Sequence, residues 1–123
     1  MSRDYKILIV DDSRVALMMA RSSVAKAAPD ATIIEAISGD DALEKVDGND
    51  IAAGIIDLNM PGMNGLELAL ELRRHFADIQ LALCTANVQE VIQQRAKEQN
   101  IVFIPKPISP EKVKAFLQES VKA

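Results

Sequence analysis

Short apolar runs alternate with amphipathic stretches along the whole chain. Continuous apolar runs are typical of strands buried on both faces of a parallel sheet. A fifth run, Thr32 to Ala36, is more polar and places Glu35 between apolar neighbours, which predicts an edge strand. The four continuous runs are Lys6 to Val10, Gly54 to Ile56, Leu81 to Cys84 and Val102 to Ile104.

Helical periodicity fills the segments between these runs. From Asn64 to Phe76, Leu68 and Leu72 recur on one face of a helix, which predicts a stripe that packs on the sheet. In the first helical segment, Met18 and Met19 are predicted to be core residues, as are Leu17 and Val24. These segments therefore predict helices that cover the sheet.

The last helical segment has its own start signal. Ser109 is a suitable N-cap, and Pro110 fits the first helical position, where a missing N–H costs nothing. With this helix the chain consists of five strand-then-helix units, (βα)5. That alternation predicts an α/β fold with a doubly wound, five-stranded parallel sheet. Since no linker or repeat divides the sequence, a single domain is expected over residues 1–123.

Composition excludes several classes of function. The net charge is −4 and no Lys/Arg cluster is present, so direct binding to nucleic acid is not expected. No apolar run has the length of a membrane span or of a signal peptide, which predicts no membrane association. The one cysteine, Cys84, cannot form an internal disulfide. A cytoplasmic protein is therefore expected.

Polar residues follow the predicted strands at one edge of the sheet. Asp11 and Asp12 follow the first strand, Asp57 the third, Thr85 the fourth and Lys106 the fifth. Each alone is explained as a helix cap or a surface residue. Together they indicate a site, because the carboxyl ends of parallel strands converge on one crevice in doubly wound sheets.

The chemistry of this set indicates a metal and phosphoryl transfer. Each close pair of carboxylates repels by roughly 4 kcal/mol at 4 Å and an effective dielectric constant near 20. A hard cation such as Mg²⁺ would relieve that repulsion, and oxygen ligands suit it. A carboxylate can attack phosphorus to give an acyl phosphate, while an ammonium and a hydroxyl bind the transferred group.

Four motifs give the chain a resemblance to a known family. It resembles the response-regulator receiver domains of two-component signalling, including the single-domain chemotaxis type. The resemblance extends over nearly the whole chain and implies the flavodoxin-like strand order 2-1-3-4-5. The motifs are V-D-D-S at Val10 to Ser13, D-L-N-M-P-G-M-N-G at Asp57 to Gly65, C-T-A at Cys84 to Ala86 and P-K-P at Pro105 to Pro107.

The resemblance implies a role for each acidic residue. Asp57 matches the phosphoacceptor, which also contacts the metal. Asp12 matches the direct Mg²⁺ ligand and Asp11 the carboxylate that reaches the metal through water. Asn59 matches the position whose backbone carbonyl completes the metal site. Pro107 matches a position preceded by a cis peptide bond, although base rates alone favour trans.

Further residues match the phosphoryl-binding and switching positions. Thr85 and Lys106 match the pair that binds the phosphoryl oxygens. Thr85 and Phe103 match the switch pair, in which the aromatic ring changes rotamer; the competing interpretation of Phe103 is a plain core aromatic. Asn59 and Asn87 match the positions that flank the water attacking the acyl phosphate, so they are expected to tune dephosphorylation.

The resemblance also implies partners. A histidine kinase or a histidine phosphotransfer protein is the expected phosphoryl donor. The expected downstream target binds the face formed by the fourth helix, fifth strand and fifth helix.

His75 and Cys84 are predicted to take no part in the phosphoryl chemistry. His75 is expected to be a surface residue and Cys84 a buried small hydrophobe. The predicted last helix runs almost to the end of the sequence, which fits either a single-domain regulator or a receiver cut from a longer chain.

Three other functions share parts of this pattern. A haloacid-dehalogenase-like phosphatase also uses Asp, Thr, Lys and Mg²⁺, but it expects D-x-D after the first strand, where this chain has Asp11 and Asp12 adjacent. A flavodoxin-like electron carrier needs a hydroxyl-rich phosphate loop, and here that loop is acidic. A degenerate receiver that only binds partners remains an alternative, although every key residue type is present.

Overall fold

The computed structural model describes residues 5–86 and 90–122, and within them five strands alternate with five helices. No helix in this part of the chain has the length and apolar character needed to cross a membrane. The strands are β1 (Lys6–Val10), β2 (Thr32–Ala36), β3 (Ala53–Asp57), β4 (Gln80–Thr85) and β5 (Ile101–Pro105), and the helices are α1 (Arg14–Ala27), α2 (Gly39–Val46), α3 (Gly65–His75), α4 (Glu90–Glu98) and α5 (Pro110–Lys122).

All five strands pair in parallel in one sheet, in the order β2-β1-β3-β4-β5. The predicted flavodoxin-like α/β fold is therefore confirmed. Strand β3 is central, with Val10 of β1 paired to Ile56 on one side and Cys84 of β4 paired to Asp57 on the other. Because β1, β3 and β4 are adjacent and parallel, their carboxyl ends meet at the middle of one edge.

A separate hydrophobic cluster lies on each face of the sheet. Successive side chains of a strand point to opposite faces, so Ile56 packs into one cluster and its neighbour Ile55 into the other. Leu68 and Leu72 of α3 belong to the cluster of Ile56, and both are fully buried. The predicted stripe of α3 is confirmed, and the two clusters hold the central strands from both sides.

Strand β5 departs from the expectation for a strand buried on both faces. It is the second edge of the sheet, opposite β2, and Val102 and Phe103 are only half-buried. An apolar run cannot by itself distinguish a central strand from an edge strand that a helix covers on one side. The edge position of β2 is confirmed, and Glu35 on it forms an ion pair with Arg21 of α1.

The prediction that Met18 and Met19 are core residues is wrong. Met18 is 71% exposed and Met19 47% exposed, whereas Leu17 and Val24 are buried as predicted. Residues 17 and 24 lie seven positions apart and share one helix face, which packs on the sheet. Successive helical residues are rotated by about 100°, so Met18 and Met19 turn away from that face.

Side-chain hydrogen bonds cap the first turns of the helices that begin near the strand ends. Ser13 Oγ accepts a hydrogen bond from Ala16 N at 3.2 Å at the start of α1. Asn64 and Glu67 form a reciprocal capping box at the start of α3. Ser109 Oγ accepts from Lys112 N at 3.2 Å, which confirms the predicted start of α5 at Pro110.

Candidate functional site

Three carboxylates meet at the carboxyl ends of the two central strands. Asp11 and Asp12 follow β1 directly, and Asp57 is the last residue of β3. Each offers a carboxylate oxygen, and these oxygens all lie within 4.8 Å of one another. Asp11 and Asp57 are 7% and 6% exposed, whereas Asp12 is exposed. The acidic cluster of Asp11, Asp12 and Asp57 is thus open to solvent on the side of Asp12.

The ammonium group of Lys106 reaches two of these carboxylates. Its Nζ lies 3.0 Å from Asp57 Oδ1 and 3.3 Å from Asp11 Oδ2. Lys106 follows β5, and its backbone N–H donates to Thr85 O at 3.0 Å. The peptide bond from Lys106 to Pro107 is cis, as the resemblance implied. The residue that follows the edge strand β5 therefore contacts carboxylates at the ends of the central strands.

The environment shifts the pKa values of both partners of the central ion pair. Burial raises the pKa of Asp57; the Lys106 hydrogen bond opposes this without reversing it, and the charges of Asp11 and Asp12 add to the rise. Burial alone would lower the pKa of Lys106, but its hydrogen bond to Asp57 and the charges of both buried carboxylates raise it. Lys106 is therefore a cation at neutral pH. The negative charge on Asp57 destabilises the folded state, and Lys106 only partly offsets this destabilisation.

Two further reactive side chains lie outside this chemistry. Cys84, next to Thr85 in β4, is a free buried thiol whose pKa burial raises to about 12, so it is not a thiolate at neutral pH. The side chain of His75 is 58% exposed in the last turn of α3, with Nε2 3.6 Å from Glu71 Oε2. Both agree with the sequence-based interpretation.

The loop between β3 and α3 holds the backbone of Asp57 closely. Leu58 N donates to Cys84 O at 3.0 Å, and Gly65 N donates to Leu58 O at 2.9 Å. A Cβ added to Gly65 would lie 2.3 Å from Asp57 O, a distance that no side chain tolerates. Sequence reasoning missed this role of Gly65. The available signal was a glycine at the first position of a helix, where glycine has no conformational advantage.

The remaining predicted site residues have different settings. Asn59 is exposed in the loop two residues after Asp57. Thr85 is 1% exposed at the end of β4. Phe103 is half-buried and packs against the cluster that contains Ile56. Asn87 lies outside the described residues.

Comparison with known proteins places the chain in a family. Residues 7–118 match the response regulator receiver domain family. The chemotaxis protein CheY1 of Helicobacter pylori is 31% identical over 119 residues, which are 92% of this chain and 94% of that protein. The crystal structure of the chemotaxis protein CheY4 of Vibrio cholerae superimposes with a TM-score of 0.83 at 26% identity, over 96% of this chain and 99% of that one.

A longer protein also contains a similar region. The cyclic di-GMP phosphodiesterase response regulator RpfG of Xanthomonas campestris pv. campestris is 36% identical over 112 residues, which are 89% of this chain but only 30% of that protein. The match to the receiver family does not favour the phosphatase or electron-carrier alternatives. With this fold, this strand-end chemistry and a family match over 112 of its positions, the chain belongs to the response regulator receiver domains of two-component signalling.

Proposed function

We propose that residues 1–123 form one receiver domain that accepts a phosphoryl group on Asp57 in a Mg²⁺-dependent reaction and then changes its binding surface. The observation that carries the proposal is the Lys106 ammonium, which lies 3.0 Å from Asp57 in a cluster of three carboxylates. The donor would be the phosphohistidine of a kinase or of a phosphotransfer protein. The domain is a signalling module and catalyses only its own phosphorylation and dephosphorylation.

The residues of the acidic cluster suit a Mg²⁺ ion. Asp12 and Asp57 would bind the ion through carboxylate oxygens, Asp11 through a water molecule, and Asn59 through its backbone carbonyl. The cluster offers only oxygen donors, which hard cations prefer, and the exposed Asp12 leaves room for water and a phosphate oxygen. When bound, Mg²⁺ would neutralise charge on the transferred phosphoryl group.

The side chains of the chain would carry the transfer itself. A carboxylate oxygen of Asp57 attacks phosphorus, a new P–O bond forms, and the bond from phosphorus to the donor breaks with its electron pair leaving on the donor. Lys106 then exchanges its contact with the Asp57 carboxylate for one with a phosphoryl oxygen, since its ammonium already lies beside the acceptor. Positioning and charge neutralisation supply the catalysis.

Thr85 and Phe103 would connect phosphorylation to the binding surface. Thr85 is buried at the end of β4, and its hydroxyl would move toward a phosphoryl oxygen after phosphorylation. Phe103 lines a groove of 430 Å³ between β5 and α5, and it also packs against the core. A ring at the border of core and groove can move between them, which supports a target that binds the α4, β5 and α5 face.

Labelling the protein with a small phosphodonor tests the proposal. Acetyl phosphate with Mg²⁺ should add one phosphoryl group per chain, detected by intact-protein mass spectrometry and located on Asp57 by peptide mapping. Excess EDTA should prevent the addition. Full labelling in EDTA, or a phosphoryl group on another residue, would contradict the assignment.

Removing the charge of Asp57 should stabilise the metal-free protein. Its raised pKa means that the ionised carboxylate costs folding energy above the ordinary carboxyl pKa of 3.8. In EDTA at pH 7, Asp57→Asn should therefore raise the free energy of unfolding by on the order of 1 kcal/mol. Below pH 3.8 the gain should vanish, because Asp57 is then protonated in both states.

Urea melts with and without Mg²⁺ measure two quantities: the stability that Asp57→Asn gains without metal, and the stability that Mg²⁺ adds to the wild type. Millimolar Mg²⁺ should stabilise the wild type in proportion to the logarithm of its concentration, because it binds the folded state. The increment should be much smaller in Asp57→Asn and in Asp12→Ala. If Asp57→Asn is less stable than wild type in EDTA and Mg²⁺ leaves the wild type unchanged, these carboxylates do not share a metal.

Asn59 and Asn87 should set a short lifetime of the phosphorylated state. An amide side chain can orient the attacking water, whereas a bulky or apolar one excludes it. Asn59 is exposed two residues after Asp57, which suits this role. Asn59→Met and Asn87→Tyr should each slow phosphate release about tenfold, measured after removal of the phosphodonor. Unchanged release rates in both variants would show that other groups control the lifetime.

A further inference from the structure

We propose that Lys112 is a positioning residue for phosphoryl transfer: it fixes the backbone on both sides of Lys106 and so keeps the Lys106 ammonium between Asp57 and Asp11. The inference rests on the proposed function, because it concerns the same reaction. Lys112 does not touch the acidic cluster. It acts through Lys106.

Two hydrogen bonds carry the inference. Lys112 Nζ donates to Pro105 O at 3.0 Å and to Pro107 O at 2.7 Å. These are the carbonyl groups of the residues immediately before and after Lys106. Hydrogen bonds from a charged donor are stronger than those between neutral groups. The Lys112 ammonium therefore binds the backbone on both sides of Lys106.

Backbone hydrogen-bond donors are scarce in this segment. Proline has no backbone N–H, so within residues 105–107 Lys106 alone can donate from the backbone, and it does so to Thr85 O at 3.0 Å. Strand β5 is also an edge of the sheet, with β4 as its single neighbour. In the part of the chain that the structure describes, the hydrogen bonds given to the carbonyl groups on either side of Lys106 come from the Lys112 side chain.

The backbone of Lys112 is held in place by helix α5. It lies in the first turn of α5, where its N–H donates to the N-cap Ser109 Oγ at 3.2 Å. The same helix buries Val113 completely, and Phe116 is 5% exposed in the core. Lys106 has a long flexible side chain, so its ammonium stays in place only if the backbone of Lys106 is held in a fixed position. The hydrogen bonds of Lys112 connect the backbone around Lys106 to helix α5, which packs in the core.

Substitutions at position 112 test the role. Lys112→Met removes the donor and keeps much of the side-chain length, so the initial rate of Asp57 phosphorylation by acetyl phosphate should fall roughly tenfold through misplacement of Lys106. Lys112→Arg keeps a charged donor and should restore most of the rate. Lys114→Met is the matched control: it removes one exposed positive charge from the same helix and should leave the rate unchanged.

A double-mutant cycle separates positioning from a general structural effect. In a Lys106→Met background, Lys112→Met should cause no further loss of rate, because the residue through which it acts is absent. Additive losses, or equal losses in Lys112→Met and Lys114→Met, would overturn the proposal. Circular dichroism at the assay temperature verifies that each variant is folded.

A measurement on the wild type keeps the test independent of mutant folding and of the proposed function. NMR of lysine ammonium groups should show scalar couplings from Lys112 Nζ across hydrogen bonds to the carbonyl carbons of Pro105 and Pro107. A Lys112 ammonium that exchanges rapidly and shows no such coupling would overturn the proposal. Wild-type protein that shows the couplings but takes no phosphoryl group would instead refute the proposed function.

Discussion

Replacing Lys106 with methionine should slow the phosphorylation of Asp57 about a hundredfold, and Asp57→Asn should abolish it. Loss of one preorganised charge-stabilising donor typically costs a factor of about 10² to 10³ in rate. Lys106 Nζ is 3.0 Å from Asp57 Oδ1, the oxygen of the proposed acceptor, so the charge on a transferred phosphoryl group would develop beside it. The measurement is the initial rate of phosphoryl incorporation from acetyl phosphate at saturating Mg²⁺.

A second ion-paired carboxylate provides the control for these variants. Asp41 lies on α2 and pairs with Lys45 at 3.2 Å, so Asp41→Asn also removes a carboxylate from an ion pair with lysine. It should be labelled at the wild-type rate. Labelling of Asp57→Asn at that rate would show that another residue accepts the phosphoryl group. A wild-type rate in Lys106→Met would remove the ammonium from the mechanism.

Gly65→Ala should destabilise the protein by about 3 kcal/mol, a typical cost of forced overpacking. Helix propensity alone predicts the opposite sign, because alanine is favoured over glycine by up to about 1 kcal/mol inside a helix. The added Cβ would meet backbone atoms, 2.3 Å from Asp57 O and 2.8 Å from Leu58 Cα, and a backbone cannot turn aside as a side chain can. Urea unfolding followed by circular dichroism measures the difference.

Gly39 offers a matched position for this substitution. It is the first residue of α2, as Gly65 is of α3, and it also follows a capping residue. A Cβ there would meet the Met63 side chain, with Sδ at 2.8 Å, and a flexible thioether can change rotamer. Gly39→Ala should therefore cost far less than Gly65→Ala. Equal losses would mean that the close approach to Asp57 is not the cause.

Much of the fold could be predicted from the sequence because the strands are short, apolar and separated by helical periods. The runs at Lys6 to Val10 and Thr32 to Ala36 coincide with β1 and β2, and each of the other three strands extends one residue beyond its predicted run at both ends. The order of the strands came from the family resemblance, since periodicity contains no information about which strands are neighbours. The resemblance also implied the edge position of β5, which the apolar run at Val102 to Ile104 could not show by itself.

The candidate site was predictable where it depends on topology and unpredictable where it depends on side-chain reach. Parallel strands bring their carboxyl ends together, so residue type and position were enough to group Asp11, Asp57 and Lys106. Spacing along the chain could not indicate that Lys106 bridges two carboxylates, or that Lys112 donates to the carbonyl groups before and after Lys106. Those contacts depend on distances that only the folded backbone defines.

The strand order also has a consequence for the order of assembly. β2 and β3 both pair with β1, and then β4 pairs with β3 and β5 with β4, so no strand has to be inserted between two that are already paired. The sheet can grow outward as the chain emerges during synthesis. The first three strands bring Asp11, Asp12 and Asp57 together, whereas Lys106 arrives with the last strand. The nascent domain thus gathers three negative charges before the ammonium that partly offsets them, and docking of β5 brings that ammonium into place.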